Sequence, residues 1–207
     1  DEDMQMGGSV QSTQDGRIVA VIGGHNYKSG DLNKATVKQQ PGSSIKPILD
    51  YGMAYKYLDW CTGHTVKDEP IEAGIKNWDN QFHGTMTISE ALENSWNIPA
   101  YTTFQEVKKV AGSKNLTEDL ESLGIDMSDQ DPDLPDSYAI GGWSTGVSPV
   151  EMAGAYATVA NNGKYIESHT VNYIEVAKDN ETIKVDEQLQ KKATNSIGEE
   201  VSFMIRE

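Results

Sequence analysis

Residues 40–47 read Gln-Pro-Gly-Ser-Ser-Ile-Lys-Pro, and the interpretation of the rest of the chain starts from this stretch. Beyond it, the apolar residues at positions 48, 49, 53 and 54 recur at helical spacing and predict a helix. A proline is tolerated only in the first turn of a helix, so Pro47 places the helix start near Ser43 or Ser44. Ser43 is therefore predicted to lie at the N-terminal end of this helix, with Lys46 one turn further along.

Ser43 and Lys46 form the pattern S-x-x-K, which places a hydroxyl and an amine on one helix face. A serine becomes a nucleophile only when a base takes its proton, and a lysine can do this only if its pKa is lowered. Burial lowers it, and so does the positive end of the helix dipole. The first turn also offers free backbone N–H groups for a developing oxyanion. By itself the motif is weak evidence, because serine and lysine are common.

A second motif, S-x-N, follows at residues 95–97 between two predicted helices. The Ser95 hydroxyl can relay a proton between the lysine and a leaving amine, and the Asn97 amide can bind a substrate carbonyl. S-x-x-K followed by S-D-N or a relative and then by K-T-G is the signature of serine acyl transfer. Two of its three parts occur here in the correct order. We predict Ser43, Lys46 and Ser95 as catalytic residues, and Asn97, Ser44 and Trp96 as substrate-binding residues.

The rest of the chain predicts an α+β fold. Capping boxes at Thr87–Glu90 and Ser148–Glu151 indicate helix starts, and further helices are predicted around Pro99 and over residues 117–123. The predicted organisation begins with a strand pair of a central sheet at residues 1–24 and a mainly helical part with both motifs at residues 41–170. A β-hairpin at residues 171–186 and the start of a further helix at residues 196–207 follow.

Composition excludes several classes of protein. The 207 residues suit one domain, and a net charge of −15 argues against a nucleic-acid partner. No apolar run approaches the length of a membrane span, and the single cysteine excludes an internal disulfide. The four histidines are scattered, so no metal site is predicted. Trp60 and Trp78 are interpreted as core or wall residues, and Cys61 as a small buried filler.

With both motifs in view, the sequence resembles the transpeptidase domain of a bifunctional (class A) penicillin-binding protein. Residues 40–47 resemble the active-site segment of that family almost residue for residue, and residues 84–92 running into 95–100 resemble its second segment. The glycine-and-helix stretch from Gly141 to Gly163 fits as well, as do the pieces Asp68-Glu69-Pro70 and Asn77-Trp78-Asp79. The resemblance covers the chain from about Ser9 onward.

The resemblance implies a peptidoglycan D-Ala-D-Ala transpeptidase that acts through an acyl-serine and is acylated by β-lactams. Ser43 would be the nucleophile, Lys46 its base, Ser95 the proton relay, and Asn97 the residue that orients the peptide or the β-lactam side chain. No cofactor is implied. The implied partners are peptidoglycan stem peptides and β-lactam antibiotics. The parent protein would be membrane-anchored, at the extracytoplasmic face of the bacterial cell membrane.

The third motif departs from the family pattern. Lys28-Ser29-Gly30 spells K-[ST]-G, but it lies upstream of Ser43 in a turn-rich loop, so we interpret it as a coincidence. The expectation is that the chain ends before the real motif and that the missing C-terminal part of its own domain is a further partner. Removing one oxyanion donor costs about 10²–10³ in rate, so the polypeptide alone is expected to be poorly active.

Several alternatives stay open at this level. Ser43 could be only a helix N-cap, and Ser95 and Asn97 could cap the helix that contains Pro99. Within enzymes, the alternatives are a serine β-lactamase or a D,D-carboxypeptidase. From another class, the alternative is a non-catalytic sensor or binding module that keeps the fold without turnover.

Overall fold

The computed structural model describes residues 4–26, 28–171, 174–178, 181–184 and 191–207. Strands β1 (Gly8–Gln11) and β2 (Ile18–Ile22) pair antiparallel with Gly8 opposite Ile22. Between them Gly16 has a φ of +76°, which explains the glycine at this turn. Both strands lie within the predicted range; among the described residues they form a two-stranded sheet, and their membership of a central sheet stays a prediction.

The helical run after Pro41 is less regular than predicted. It begins with a 3₁₀ turn at Gly42–Ile45, widens into a π-turn at Pro47–Gly52, and becomes α-helical in α1 (Met53–Tyr57). Pro47 has no N–H to donate to the Ser43 carbonyl four residues back, and its ring crowds that carbonyl. The Lys46 N–H bonds to the Ser43 carbonyl instead. The expectation of an ordinary α-helix from Ser43 is therefore wrong in its hydrogen-bond pattern.

Strands β3 (Thr65–Asp68) and β4 (Gly84–Thr87) form a second antiparallel pair, and helices follow directly. Helix α2 (Ile88–Glu93) begins at the predicted cap, where the Thr87 hydroxyl accepts the Glu90 N–H at 3.2 Å. Helix α3 (Asn97–Ala111), the helix predicted around Pro99, buries Phe104 and Val107. Helix α4 (Ser113–Ser122) begins four residues before its predicted start at Thr117, since Gly112, with φ +76°, ends α3 and opens α4 at once.

A 3₁₀ turn at Asp136–Ile140 leads to helix α5 (Pro149–Ala160). Both halves of its predicted capping box form between Ser148 and Glu151. The remaining elements are β5 (Lys164–Tyr165), which pairs with β8 (Thr194–Asn195), the hairpin strands β6 (Glu175–Lys178) and β7 (Glu181–Lys184), and helix α6 (Glu199–Arg206). Residues 172–173, 179–180 and 185–186 of the predicted hairpin lie outside the described residues.

One core joins the helical run, α3, α4 and α5, with Ile45, Leu49, Phe104 and Leu116 fully buried in it. Helices and strands together confirm the α+β class. Of the two tryptophans interpreted as core or wall residues, Trp60 is partly buried against the core, and Trp78 is 68% exposed and so is not a core residue. The interpretation of Cys61 as a buried filler is wrong, because this residue is exposed. In the part of the chain that the structure describes, no helix has the length and hydropathy needed to cross a bilayer.

Candidate active site

Ser43 lies in the 3₁₀ turn that opens the helical run, with its side chain exposed. Over the described residues its hydroxyl makes no hydrogen bond, and the residue in the N-cap position is Pro41. The alternative of Ser43 as a helix cap is therefore wrong. An exposed hydroxyl without a structural partner, in a turn that has free backbone N–H groups, is available for chemistry.

Lys46 follows one turn later and is fully buried, although lysine is rarely buried. Its Nζ lies 2.7 Å from the Ser95 carbonyl oxygen, 2.8 Å from Asn97 Oδ1, 3.2 Å from Ser95 Oγ and 3.4 Å from the Trp96 carbonyl oxygen. Only the Ser95 hydroxyl among these four partners can also donate a hydrogen bond. The structure thus brings three predicted site residues, Lys46, Ser95 and Asn97, into direct contact.

Burial lowers the pKa of Lys46 to about 8, while the neighbouring Asp50 opposes the shift. Desolvation disfavours the charged form of an amine, so a fraction of Lys46 is neutral near physiological pH. A neutral amine has a lone pair that can accept a proton from a hydroxyl. Lys46 therefore meets the requirement that a lysine base imposes.

The S-x-N segment forms a tight turn between α2 and α3. Ser95 has a φ of +55°, a left-handed conformation that costs free energy for any residue except glycine. In this conformation the Ser95 carbonyl and hydroxyl oxygens both lie within hydrogen-bonding distance of Lys46. The strain is therefore located at a contact with the candidate base, and strain of this kind clusters at functional sites.

Asn97 is the first residue of α3, and both ends of its carboxamide are held. Its Oδ1 accepts from Lys46, and its Nδ2 donates to the Lys76 carbonyl at 2.9 Å. The second Nδ2 hydrogen remains for a substrate carbonyl. Because neither Ser95 nor Asn97 caps α3 with its side chain, the alternative that they serve as caps is wrong.

Two further predicted residues have structural contacts of a different kind. Trp96 is only 7% exposed, and its ring stacks with the rings of Trp78 and His83. This burial does not fit the predicted substrate contact and gives Trp96 a supporting position beneath the turn. Ser44 is exposed, but its hydroxyl donates to the Pro41 carbonyl and its own carbonyl accepts from the Tyr156 hydroxyl at 2.7 Å.

The segment around residues 141–143, which packs against the Ser43 turn, had no role predicted from the sequence. The Gln40 side chain donates to the Trp143 carbonyl and accepts the Trp143 N–H, both at 2.6 Å. A Cβ at Gly141 would collide with the Gly42 backbone, so this glycine allows the two segments to touch. The signal was the recurrence of glycines at 141, 142 and 146, but their partners could not be deduced without the fold.

Asp50 is the second unusual ionisable group, one turn after Lys46 on the same helical run. It is fully buried, and neither carboxyl oxygen has a hydrogen-bond partner among the described residues. Burial raises the pKa of Asp50 well above its usual range, against the opposing effect of Lys46. An uncharged Asp50 cannot hold Lys46 in its ammonium form as a charged one would.

The Lys28-Ser29-Gly30 sequence lies in an exposed loop in which the Lys28 N–H donates to Asp31 Oδ2.

In the described ranges no group of three His, Cys, Asp or Glu side chains could hold a metal ion.

Residues 6–207 match the family described as the penicillin binding protein transpeptidase domain. Among curated proteins, the chain is 36% identical over 211 aligned positions to penicillin-binding protein 1A/1B of Bacillus subtilis. This alignment covers 99% of the present chain and 22% of that protein. It is 37% identical to penicillin-binding protein 1F of the same organism, covering 81% of this chain and 23% of that protein. The chain thus spans less than a quarter of the length of these relatives.

Solved structures show the same fold. The penicillin-binding protein PonA1 from Mycobacterium tuberculosis aligns with a TM-score of 0.81 at 22% identity, covering 98% of this chain and 56% of that one. Penicillin-binding protein 1A from Haemophilus influenzae aligns with a TM-score of 0.75 at 24% identity, covering 98% of this chain and 34% of that one.

Proposed function

The chain belongs to the penicillin-binding protein transpeptidase family, and on that premise we propose that it carries the acyl-serine site of a peptidoglycan D-Ala-D-Ala transpeptidase. The observation that carries the proposal is the buried Lys46 amine, whose pKa is lowered to about 8 and which contacts Ser95 and Asn97. A surface lysine would have neither the burial nor these partners.

In the first half-reaction, Ser43 Oγ attacks the carbonyl carbon of the D-Ala-D-Ala peptide bond while its proton passes to the neutral Lys46 amine. The negative charge that develops on the carbonyl oxygen is stabilised by backbone N–H groups at the start of the helical run. The C–N bond then breaks, and the proton moves from Lys46 through the Ser95 hydroxyl to the departing D-Ala amine. This step leaves an ester between Ser43 and the donor peptide.

In the second half-reaction, an amine of a neighbouring stem peptide attacks the ester carbonyl. Its proton returns through Ser95 and Lys46 to Ser43 Oγ, which leaves as the free hydroxyl. A β-lactam ring opens by the same attack but keeps its amine tethered to the acyl group, so the ester is slow to resolve. The Asn97 amide hydrogen that remains free orients the peptide or the β-lactam side chain in both cases.

From these roles we infer that the protein acts at the extracytoplasmic face of the bacterial cell membrane, where its substrate lies. The proposed partners are peptidoglycan stem peptides and β-lactam antibiotics. The net charge of −15 supports the exclusion of nucleic acid as a partner.

The test is covalent labelling of the full-length gene product with a fluorescent penicillin, followed by intact mass and peptide mapping. We expect one acyl group per molecule on Ser43, and none in Ser43→Ala. The matched control is Ser29→Ala, an exposed serine in the Lys28-Ser29-Gly30 loop, which has no predicted role in the site. Labelling that survives Ser43→Ala would contradict the proposal.

The lifetime of the acyl-enzyme separates the proposal from its rivals. A transpeptidase holds the penicilloyl ester for long periods and transfers a stem-peptide donor to an amine acceptor. A β-lactamase would hydrolyse the ester with rapid turnover, and a carboxypeptidase would transfer the donor only to water. A sensor module would be acylated but would process no stem peptide.

A further inference from the structure

A buried side-chain pair lies behind the S-x-N turn. Asp68 ends strand β3 and is fully buried, and Asn77 is 3% exposed in the loop that follows. Asn77 Nδ2 lies 2.7 Å and 2.9 Å from the two Asp68 carboxyl oxygens, and the His83 N–H donates to one of them at 2.9 Å. Both Asp68 oxygens therefore face donors, although no hydrogen bond among the described residues joins the pair to a predicted site side chain.

The pair fixes which way the Asn77 amide points. Its Nδ2 group donates to Asp68 and to the Gln81 carbonyl, so the oxygen must face the opposite way. There Asn77 Oδ1 accepts the Asn97 N–H at 2.9 Å and is 3.4 Å from the Ile98 nitrogen. These are the first N–H groups of α3, which have no partner within the helix.

Asn77 therefore caps α3 from outside the helix. The residue in the N-cap position, Trp96, offers no side-chain hydrogen bond. The acidic Asp68 behind Asn77 also lies at the positive end of the α3 dipole, where a carboxylate is favourable. Both effects act on the first turn of α3, and Asn97 is the residue in that turn whose side chain contacts Lys46.

We propose that Asp68 and Asn77 are positioning residues, which hold the Asn97 carboxamide in hydrogen-bonding contact with the Lys46 amine. The chain of contacts runs from Asp68 to Asn77, through the Asn97 backbone to its side chain, and ends at Lys46. The inference rests on the proposed function only for its kinetic consequence. The geometric part, a fixed orientation of the amine, is independent of the reaction.

The kinetic consequence follows from the hydrogen bonds that the Lys46 amine donates to its four acceptors. When Asn97 Oδ1 is displaced, the Lys46 ammonium loses one of its closest acceptors, so the charged form is less stable. A hydrogen bond to a charged group corresponds to about one unit on the pH scale. Displacement of a reacting group by about 1 Å costs about 100-fold in rate. Loss of the pair should therefore change both the proton affinity of Lys46 and the acylation rate.

The test compares Asn77→Ala with the wild-type full-length gene product and with Gln81→Ala, which removes an exposed amide side chain from the same loop and keeps the backbone carbonyl that accepts from Asn77. The first measurement needs no substrate: the ¹³Cε resonance of Lys46, assigned by comparison with Lys46→Arg, is followed against pH. We expect the midpoint in Asn77→Ala to fall by about one pH unit, and hydrogen exchange of the Asn97 and Ile98 amides to accelerate. Gln81→Ala should match the wild type. Asp50, which faces Lys46 along its own helical run, is unchanged in every variant.

The second measurement is the acylation rate with a fluorescent penicillin as a function of pH. In Asn77→Ala we expect a plateau about 10- to 100-fold lower and a midpoint displaced in the same direction as the NMR titration. A merely structural role would lower the active fraction without moving the midpoint. If the wild type is not acylated at all, the proposed function fails, while the Lys46 titration still decides the positioning role.

Rescue completes the test. The exchanged pair Asp68→Asn/Asn77→Asp keeps the total charge and an acceptor toward α3 and moves the amide donor from position 77 to position 68, so at least partial recovery of the Lys46 midpoint is expected. If Asn77→Ala does not fold, Asn77→Ser carries the same prediction, because serine can donate to Asp68 but is too short to reach α3 as well. An unchanged Lys46 midpoint and unchanged amide exchange in Asn77→Ala would overturn the proposal. So would unfolding of all three variants, which would make the pair purely structural.

Discussion

Asn97 Oδ1 lies 2.8 Å from Lys46 Nζ, although the two residues are 51 positions apart in the chain. This contact joins the S-x-x-K helical run to the S-x-N turn, and it explains how a buried lysine is kept in one orientation. Because the acceptor is a neutral amide, it supports the amine without the large upward pKa shift that a carboxylate partner would cause.

Replacing this amide by a carboxylate should therefore impair the base. In Asn97→Asp we expect the pKa of Lys46 to rise by about one to three units and acylation at pH 7 to fall at least about tenfold. The measurement is the second-order rate with a fluorescent penicillin across a pH series. Asn94→Asp introduces the same charge at an exposed site directly before Ser95. This control should leave the rate within about twofold of the wild type. Equal losses in both variants would refute the explanation.

The wild-type protein should show the titration of Lys46 directly. Only the neutral amine can accept the Ser43 proton, and the pKa of Lys46 is lowered to about 8. We therefore expect acylation to rise about tenfold per pH unit on the acid side of 8 and to level off above it. A stopped-flow series from pH 6 to pH 10 measures this dependence. A rate that is flat from pH 6 to pH 7 would show that Lys46 is not the base.

Asp50 should cost stability at neutral pH. Its pKa in the folded state is raised by burial, so the folded protein retains a proton that the unfolded chain releases. The contribution of this group to stability is fully present below the unfolded-state pKa of about 3.9 and is lost as the pH rises toward the folded-state value. Asp50→Asn has no carboxyl to titrate and does not lose this contribution. Between the two pKa values, its free energy of unfolding should therefore exceed that of the parent by up to about 1.4 kcal/mol more for each pH unit.

Urea unfolding of the Asp50→Asn variant and its parent at pH 4 and pH 7 measures the effect. The two should be close in stability at pH 4, and the variant should be clearly more stable at pH 7. Asp59→Asn serves as the control, because this exposed carboxylate lies near the end of the same helical run. A difference between Asp50→Asn and parent that is the same at both pH values would contradict a buried, protonated carboxyl.

Gly141 should be irreplaceable for steric reasons. Its φ of +85° disfavours any side chain, and a Cβ there would also collide with the backbone of Gly42, directly before Ser43. Gly74 has a φ of +67° with open space around its Cβ position, so Gly74→Ala isolates the conformational cost, about 1–2 kcal/mol. We expect Gly141→Ala to lose about 1–3 kcal/mol more than this and to acylate more slowly. Thermal unfolding and labelling rates measure both effects, and equal losses in the two variants would exclude the proposed collision.

The sequence predicted the local features well because their causes are local. The capping boxes at Thr87 and Ser148 each depend on residues three positions apart, and the strand pair before residue 24 follows from a turn glycine and a β-branched run. Where a local cause was overlooked, the prediction failed: Gly112 starts α4 early, and Pro47 diverts the helical run into 3₁₀ and π turns. Trp96 was misjudged since its stacking partners, Trp78 and His83, are more than ten residues away.

By itself, the sequence determined the family, the order of the two motifs and the identity of Ser43, Lys46, Ser95 and Asn97 as candidates, because motif spacing is a property of the chain. Only the tertiary structure decided that Lys46 is buried against Ser95 and Asn97 and that Asp68 and Asn77 stand behind them. Burial and hydrogen bonding across dozens of residues set the pKa of a lysine and the orientation of an amide. Those quantities depend on which segments pack together, and no window of sequence contains that information.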